Sequence, residues 1–400
     1  MPQVSPHSKH FRRLVYSLAL SIGVSFGAIL FGTSVMITST AAGADYSIAL
    51  LSMAFSGSVL VGAIFAVPIG RHCDAHGVRG VIGLGGVLVC IGFLIFALST
   101  APWQLLVGWW VFIGPGSAMV LFEPAFIAIQ QWFSREQRNR AAGVLTLLTG
   151  LAGPIFIPAV TYANTCLGWR WTAVLLGAAV LGVNLVTSAW ALRAAPGGNA
   201  ATGTAQASGP EFKSTWRALP AGFLPLTICI AVTMAVLEAF NVHRIARFED
   251  NGFDPIMLGW WAVAVGLLSL PGRYLLPVLA NRYRSSSIWL ALTALILPAV
   301  LLAVRGTESW ELYGHFILFG LVFGAFMPLR AVLMSDWYSG PRFGALMGFQ
   351  AIAIAVGRAA GPAVVGWCAD SSLGYSAGMI VLAAALVVSA VAMNLATKAR

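Results

Sequence analysis

Residues 193–220 read RAAPGGNAATGTAQASGPEFKSTWRALP, the one long polar interruption in a 400-residue chain that is otherwise 59% hydrophobic. Gly, Ala, Ser, Thr and Pro dominate it and it carries little apolar bulk, so it reads as a flexible linker. Outward from it in both directions run stretches of roughly 20 apolar residues, the length that crosses the hydrocarbon of a bilayer. They lie at about 14–37, 47–70, 80–99, 103–130, 141–164 and 170–192 before the linker, and at about 219–243, 255–280, 286–304, 311–334, 343–367 and 374–396 after it. With 9% charged residues and a mean hydropathy of +0.86, the chain cannot cover a soluble surface. The expectation is an all-α membrane protein whose twelve transmembrane helices form two six-helix bundles. Its parts are a cytoplasmic N-terminal segment 1–13, bundles 14–192 and 219–396, a cytoplasmic linker 193–218 and a cytoplasmic tail 397–400. The first apolar run is too long and Gly-rich for a signal peptide and lacks an A-x-A-like cleavage site, so it is expected to stay as the first span.

The net charge of +10 forms no patch of the kind nucleic acid requires; the charges punctuate the ends of the spans. With the N-terminus in the cytoplasm, sixteen basic residues fall inside and only Arg170, Arg244, Arg247 and Arg305 fall in external loops. That asymmetry is the positive-inside pattern, and it predicts cytoplasmic termini in a cell (inner or plasma) membrane. Most acids go outside, among them Asp45, Glu249, Asp250 and Asp254. The five cysteines have no paired spacing, which argues against a disulfide framework and a zinc site. His72, Cys73, Asp74 and His76 include an i, i+4 His pair that could chelate a metal, but a Gly-bounded loop explains the stretch and no complementary ligand cluster exists elsewhere. No metal and no cofactor are expected.

The halves resemble each other. QQWFSREQRNRAAGVL (130–145) aligns with MSDWYSGPRFGALMGF (334–349), matching Trp132 to Trp337 and Gly143 to Gly348. LGWRWTAVLLGAAVL from 167 aligns with LGYSAGMIVLAAALV from 373, and Gly153-Pro154 returns as Gly361-Pro362. A near-constant spacing of about 205 residues marks a duplication, so the two bundles are expected to be pseudo-symmetric, with a substrate site near mid-membrane between them.

After the second span comes GRHCDAHGVR (70–79), which sets Gly70, Asp74, Gly77 and Arg79 at G-xxx-D-xx-G-x-R spacing. Here the chain resembles the major facilitator superfamily, whose signature loop between helices 2 and 3 has this form. Two positions depart from the pattern: Ala75 stands where a basic residue usually follows the Asp, and Asn281 stands for a common acid in the repeated loop VLANRYR. The resemblance implies that Asp74 and Arg79 latch the cytoplasmic side. QWFSREQRNRAAGV, LGWRW and GRYLLPVLANR further resemble the monocarboxylate and oxalate/formate branch, which carries W-F-x-R-R-R-x-x-A-x-G after helix 4, G-W-R before helix 6 and a G/A-R-P-like element in helix 8.

Charges inside spans are costly and face a cavity or a partner. The candidates are Glu123, Glu238, Arg273, Arg330 and Arg358. Arg273 in LSLPGRYLLPVLANR and Arg358 in AIAVGRAAGPAVVG both sit beside small residues that leave room for a ligand. The resemblance implies that they match the basic residues of helices 8 and 11 that bind substrate carboxylates, a task suited to the planar guanidinium. Alternatively Arg273 snorkels, or either arginine pairs permanently with Glu123 or Glu238. Arg330 lies nearer the cytoplasmic end and is expected to snorkel or pair at a gate. Glu123, followed by Pro124, stands in a kinked helix as a proton carrier or as a fixed counter-ion. Glu238, a second candidate for proton coupling or counter-ion, joins Asn241 and His243 at the interface or vestibule. Ser269 replaces the acid that precedes the helix 8 arginine in proton-coupled carriers, and the acid-Gly signature of helix 1 is missing, so symport through that acid is doubtful and anion exchange or coupling through Glu123 stays open. Both Gly-Pro pairs read as packing and bending devices.

The leading expectation is a secondary transporter moving a small organic anion, of mono- or dicarboxylate type, by alternating access as anion exchange or proton-coupled transport. Its partners would be a small carboxylate, protons and the lipid bilayer, without nucleic acid, and it would work as a monomer. The alternatives are a proton-driven exporter of drug-like or other amphiphilic compounds, which needs acids lining the cavity, and a polytopic membrane enzyme or receptor, for which no catalytic motif is found.

Overall fold

A computed structural model describes residues 9–44, 46–192, 219–372 and 374–400. The expected linker 193–218 and residues 1–8 of the N-terminal segment lie outside the described residues. Among the described residues, eleven helical segments are long and apolar enough to cross a membrane. One of them, Arg135–Ala191, has 57 residues. At about 1.5 Å per residue it would be nearly three times the thickness of a bilayer core, and it turns at Gly168, where φ is 77°. Counted as two, it brings the total to twelve: α1 Phe11–Met36, α2 Ala49–His76, α3 Arg79–Leu98, α4 Pro102–Trp132, α5 135–167, α6 169–191, α7 Phe223–Asp250, α8 Pro255–Leu279, α9 Ser285–Arg305, α10 Ser309–Tyr338, α11 Phe343–Asp370 and α12 Gly374–Ala399.

Several boundaries differ from the sequence reading. Helix begins at Lys9, inside the expected N-terminal segment, and α12 continues through most of the expected tail. The stretch 70–79 is largely not a loop: α2 stays helical to His76, and Gly77, with φ 79°, makes the turn that only glycine adopts freely. Arg244 and Arg247, expected in an external loop, lie in the last turns of α7 and are buried.

The chain divides into two compact units, one of Met1–Ala207 with Ser339–Ile352 and the other of Ser208–Tyr338 with Ala353–Arg400. In the first, Trp109 of α4 is the centre of the core, edge-on to Phe55, Phe93 and Phe96. Glycines on α3 let it approach its neighbours: Gly85 meets Met119 and Val120, and Gly86 meets Asn184. A polar clasp crosses this apolar interior. Ser21 donates to Asn184 Oδ1 at 2.7 Å, and Asn184 Nδ2 donates to Ser25 at 3.0 Å. In the second unit, Phe240, Phe248, Phe316 and Phe319 pack around the wholly buried His315.

The duplication is visible in three devices. The clasp of α1 and α6 returns between α7 and α12, where Cys229 and Thr233 meet Ser389 at 3.2 and 2.7 Å. Ser21 and Ser25 precede Cys229 and Thr233 by 208 residues, and Asn184 precedes Ser389 by 205. Both fourth helices are interrupted: α4 breaks at Leu121 (φ −88°, ψ −151°), and α10 turns at Gly324 and Ala325. Each resumes with Phe-x-Pro, Phe122 to Pro124 and Phe326 to Pro328, which puts the proline in a first turn where its missing N–H breaks no helix bond. Third, a side chain at the start of the sixth helix of each half caps the third helix: Arg170 in the first and, 206 residues later, Ser376, which donates to the Val304 carbonyl at 2.9 Å and is joined there by Arg247 of α7. Arg170 donates to the carbonyls of Ala97 and Ser99, and Arg247 to those of Ala303, Val304 and Arg305. These groups are the orphan carbonyls that every helix end must satisfy.

Candidate functional site

Two of the expected site residues meet directly. Arg358 Nε lies 2.9 Å from Glu238 Oε2, an ion pair between α11 and α7. Its position follows from the backbone contact beneath it. Gly357 and Gly361, one turn apart on α11, press against the backbone of Ala231 and Ala235, one turn apart on α7, so closely that a Cβ on Gly361 would overlap the Ala235 carbonyl. Small residues at this spacing let membrane helices touch backbone to backbone. Glu238 stands one turn beyond Ala235 and Arg358 one residue past Gly357, so the crossing delivers carboxylate to guanidinium. The glycine beside Arg358 therefore serves helix packing, and the room for a ligand inferred from it is corrected. The arginine side chain is 43% exposed and the glutamate 26%, so both can be reached from outside the unit. His243, another turn along α7, shares a 2.9 Å hydrogen bond with the Pro362 carbonyl. Proline has removed the helix partner of a nearby carbonyl in α11, and a ring nitrogen takes part in bonding this one. Asn241 is half-buried one turn after Glu238.

Arg273 lies on α8 with its Nε 3.5 Å from Ser269 Oγ, and Ser269 itself donates to the Gly266 carbonyl at 2.7 Å. Its stem crosses the break in α10: a Cβ on Gly324 would lie 2.8 Å from Arg273 Cγ and 2.9 Å from Nε. Only a glycine at that break admits the arginine. Arg330, in the second piece of α10, is wholly buried, so the expected snorkelling is corrected. Glu123 occupies the first turn of the second piece of α4, where the positive end of a helix favours a carboxylate. The break comes at Leu121, ahead of Pro124, so the proline marks a restart and not a mid-helix kink.

Asp74 accepts hydrogen bonds from the amides of Gly344 at 2.8 Å and Ala345 at 3.1 Å, capping the first turn of α11. Gly70, one turn earlier, packs on the Gly344 carbonyl with no space for a Cβ. Arg79 points elsewhere: its Nε donates to the Ser188 carbonyl at 3.2 Å, and Ser188 Oγ donates back to the Arg79 carbonyl at 2.8 Å, tying α3 to α6. His72 and His76 stack at 4.5 Å on the exposed side of α2, and among the described residues no group of three or more metal-ligating side chains gathers.

The sequence places Arg247 and Arg170 outside, at span ends, and carries no further signal of their capping role. The Arg358–Glu238 pair was legible as one alternative, since the two lone charges could be matched by sign.

The model of the Major Facilitator Superfamily matches residues 15–243 and 226–399. A rat (Rattus norvegicus) protein named monocarboxylate transporter 13 is 24% identical over 329 residues, which span 81% of this chain and 74% of that one. Among solved structures, a human organic anion transporter aligns with a TM-score of 0.74 at 14% identity, over 96% of this chain and 99% of its own. The Escherichia coli fucose:proton symporter aligns with a TM-score of 0.75 at 13% identity, over 96% and 98%. At such identities the structural likeness speaks for the fold alone.

Proposed function

The chain belongs to the major facilitator superfamily of integral membrane transporters, and on that premise we propose that it carries a small organic anion, of mono- or dicarboxylate type, by alternating access. The observation that supports this most is the 2.9 Å pair of Arg358 and Glu238, because it holds a carboxylate on the guanidinium that the substrate would need. A planar guanidinium takes a second carboxylate only by releasing the first or by opening its other edge. Substrate entry and Glu238 release are then one event. If Glu238 takes up a proton as it leaves, the transport is proton-coupled; if it returns ionised after each substrate departs, the transport is exchange. Arg273, whose stem crosses the break in α10, supplies the second positive contact of a dicarboxylate. The hydrogen bonds that the Gly344 and Ala345 amides donate to Asp74 open and close in each cycle. The similarity to a protein named monocarboxylate transporter points the same way. The chain works as a monomer in the cell membrane, with both termini cytoplasmic.

The test is a thermal-shift screen of detergent-purified protein against mono- and dicarboxylates, amino acids, sugars and cationic drugs, followed by uptake into liposomes. A ligand at about a hundred times its dissociation constant stabilises by roughly 2.7 kcal/mol. Carboxylates alone should raise the melting temperature, and Arg273→Gln or Arg358→Gln should remove the shift. Stabilisation by cations, or transport left intact when both arginines are neutralised, would sink the proposal in favour of an amphiphile exporter.

A further inference from the structure

The last turns of α2 carry His72 and His76 four residues apart, and because the helix continues to His76 with no loop to scatter them, the two imidazoles share one face. Their rings stack with centroids 4.5 Å apart and planes 24° from parallel. Both side chains are exposed, and so is Ala75 between them, a methyl group that adds neither bulk nor charge. Of the flanking arginines, Arg79 is held by its Nε on the Ser188 carbonyl of α6, and Arg71 is half-buried. The Arg358–Glu238 pair, the clasps and the caps make no use of either ring.

Two imidazoles one helical turn apart can chelate a divalent transition metal, and their spacing tells which coordination angle fits. A metal–nitrogen bond of about 2.1 Å, with about 1.1 Å from nitrogen to ring centre, puts each centroid about 3.2 Å from the ion. With the two bonds at a right angle the centroids are then about 4.5 Å apart, and at the tetrahedral angle about 5.2 Å. The observed 4.5 Å matches the right angle. That angle belongs to square-planar or tetragonal copper(II) and nickel(II), whereas zinc takes the tetrahedral one. One change is needed: the rings must turn from near-parallel until their nitrogen lone pairs converge. The turn is about Cβ–Cγ, whose axis passes close to the ring centre, so it leaves the centroids in place, and this torsion is soft in an exposed histidine. The C-terminal end of α2 adds a partial negative charge that favours a cation.

We propose that His72 and His76 form a two-histidine site for a divalent transition metal of the copper or nickel type, with water completing the coordination. No group of three metal-ligating side chains gathers among the described residues, so the ion is held openly and exchanges, unlike one in a closed structural site. Bound there, it bridges the last turn of α2, which also carries Asp74 and its hold on the Gly344 and Ala345 amides. The site is separate from the Arg358–Glu238 pair and does not depend on the transport reading.

The experiment is a calorimetric titration of the tag-free, full-length protein in detergent with nickel, zinc and magnesium chlorides at one fixed pH and ionic strength, joined by electron paramagnetic resonance with one equivalent of copper(II). Nickel should bind one ion per chain, zinc several-fold more weakly and magnesium not at all. His72→Gln and His76→Gln should each raise the nickel half-saturation roughly tenfold or more, because the first nitrogen holds the second at high effective concentration. Ala75→Arg should raise it several-fold by setting a like charge beside the rings. The copper spectrum should show splitting by two nitrogens in the wild type and by one in either glutamine variant. Hydrogen exchange at amides 73–77 should slow on nickel loading in the wild type alone. Nickel binding unchanged in both glutamine variants, copper splitting by fewer than two nitrogens in the wild type, or zinc binding tighter than nickel would overturn the assignment.

Discussion

The first and fifth helices of the first unit cross where the first and fifth helices of the second unit cross, and the two crossings solve one packing problem in opposite ways. Gly27 of α1 precedes Ala235 of α7 by 208 residues, and Gly153 precedes Gly361 by the same spacing. In the first unit the glycine on α1 makes way for the ring of Phe156; in the second the glycine on α11 makes way for the backbone at Ala235. Above each crossing the difference is chemical. Leu30 and Gly150 hold the places of Glu238 and Arg358. Duplication thus preserved helix spacing, clasps, breaks and caps, whereas ionic groups were free to diverge, because a charge at a helix surface asks little of the backbone beneath it.

The comparison breaks most visibly at the glycines. Gly361→Ala sets a methyl against an immovable carbonyl, whereas Gly27→Ala sets one against a phenyl ring that can turn aside. Overpacking costs about 1–3 kcal/mol and more where nothing yields. Gly361→Ala should therefore fall at or above the top of that range, with loss of monodisperse protein in size-exclusion chromatography. Gly27→Ala should stay folded and melt a few degrees lower. Equal loss in both would show that the ring is held as firmly as the backbone.

Next in size is the ionic pair. Arg358→Gln removes charge-assisted bonds to a substrate carboxylate and should raise the half-saturation for liposome uptake by roughly a hundredfold, which corresponds to about 2.7 kcal/mol. Glu238→Gln keeps the shape, frees the guanidinium and should strengthen carboxylate binding while removing the drive that a proton gradient gives to uptake. If a proton gradient drives uptake by Glu238→Gln as it drives the wild type, the coupling group lies elsewhere, and Glu123 at its helix start is the next to neutralise. The corresponding first-unit change, Gly150→Ala, should leave the half-saturation where it was.

How far the sequence foresaw these features depends on what each one needs. Twelve spans follow from hydropathy and length alone, and the duplication from matched Gly-Pro and Trp positions. The clasp of Ser21, Ser25 and Asn184 was not read, because single hydroxyls and amides in apolar runs look like tolerated polar residues until two helices are seen to bring them together. The helix breaks were hidden for a related reason. Pro124 and Pro328 suggest a kink at themselves, but a proline in a first turn is evidence of a helix start, and which reading holds depends on the residue before. The sequence puts Arg244 and Arg247 in a loop because they follow the end of the expected apolar span, and only the carbonyls at the end of α9 explain why Arg247 is drawn inward.

The clasps offer a finer contrast. Asn184→Leu strands two buried hydroxyls, on Ser21 and Ser25, whereas Ser389→Ala strands less, since Thr233 keeps its bond of 2.9 Å to the Cys229 carbonyl. An unsatisfied buried polar group costs about 1–3 kcal/mol, so Asn184→Leu should destabilise by roughly 2 kcal/mol and Ser389→Ala by about half of that in detergent melts. The reverse order would mean that the second clasp, although built from weaker groups, carries more of its unit.

The smallest effect belongs to Asp74. Its carboxylate takes the amides of Gly344 and Ala345, so it acts as an N-cap supplied from another helix, and the helix dipole adds to the two hydrogen bonds. Asp74→Ala should cost about 1 kcal/mol and Asp74→Asn less, because the amide oxygen still accepts one bond while the charge is gone. Hydrogen exchange at residues 343–346 is the sharper readout. Those amides should exchange faster in Asp74→Ala, intermediately in Asp74→Asn, and unchanged in Arg79→Gln, whose guanidinium holds Ser188 instead. Faster exchange at 343–346 in Arg79→Gln would show that the two signature residues act together on α11, and the separation of their roles drawn from the structure would have to be given up.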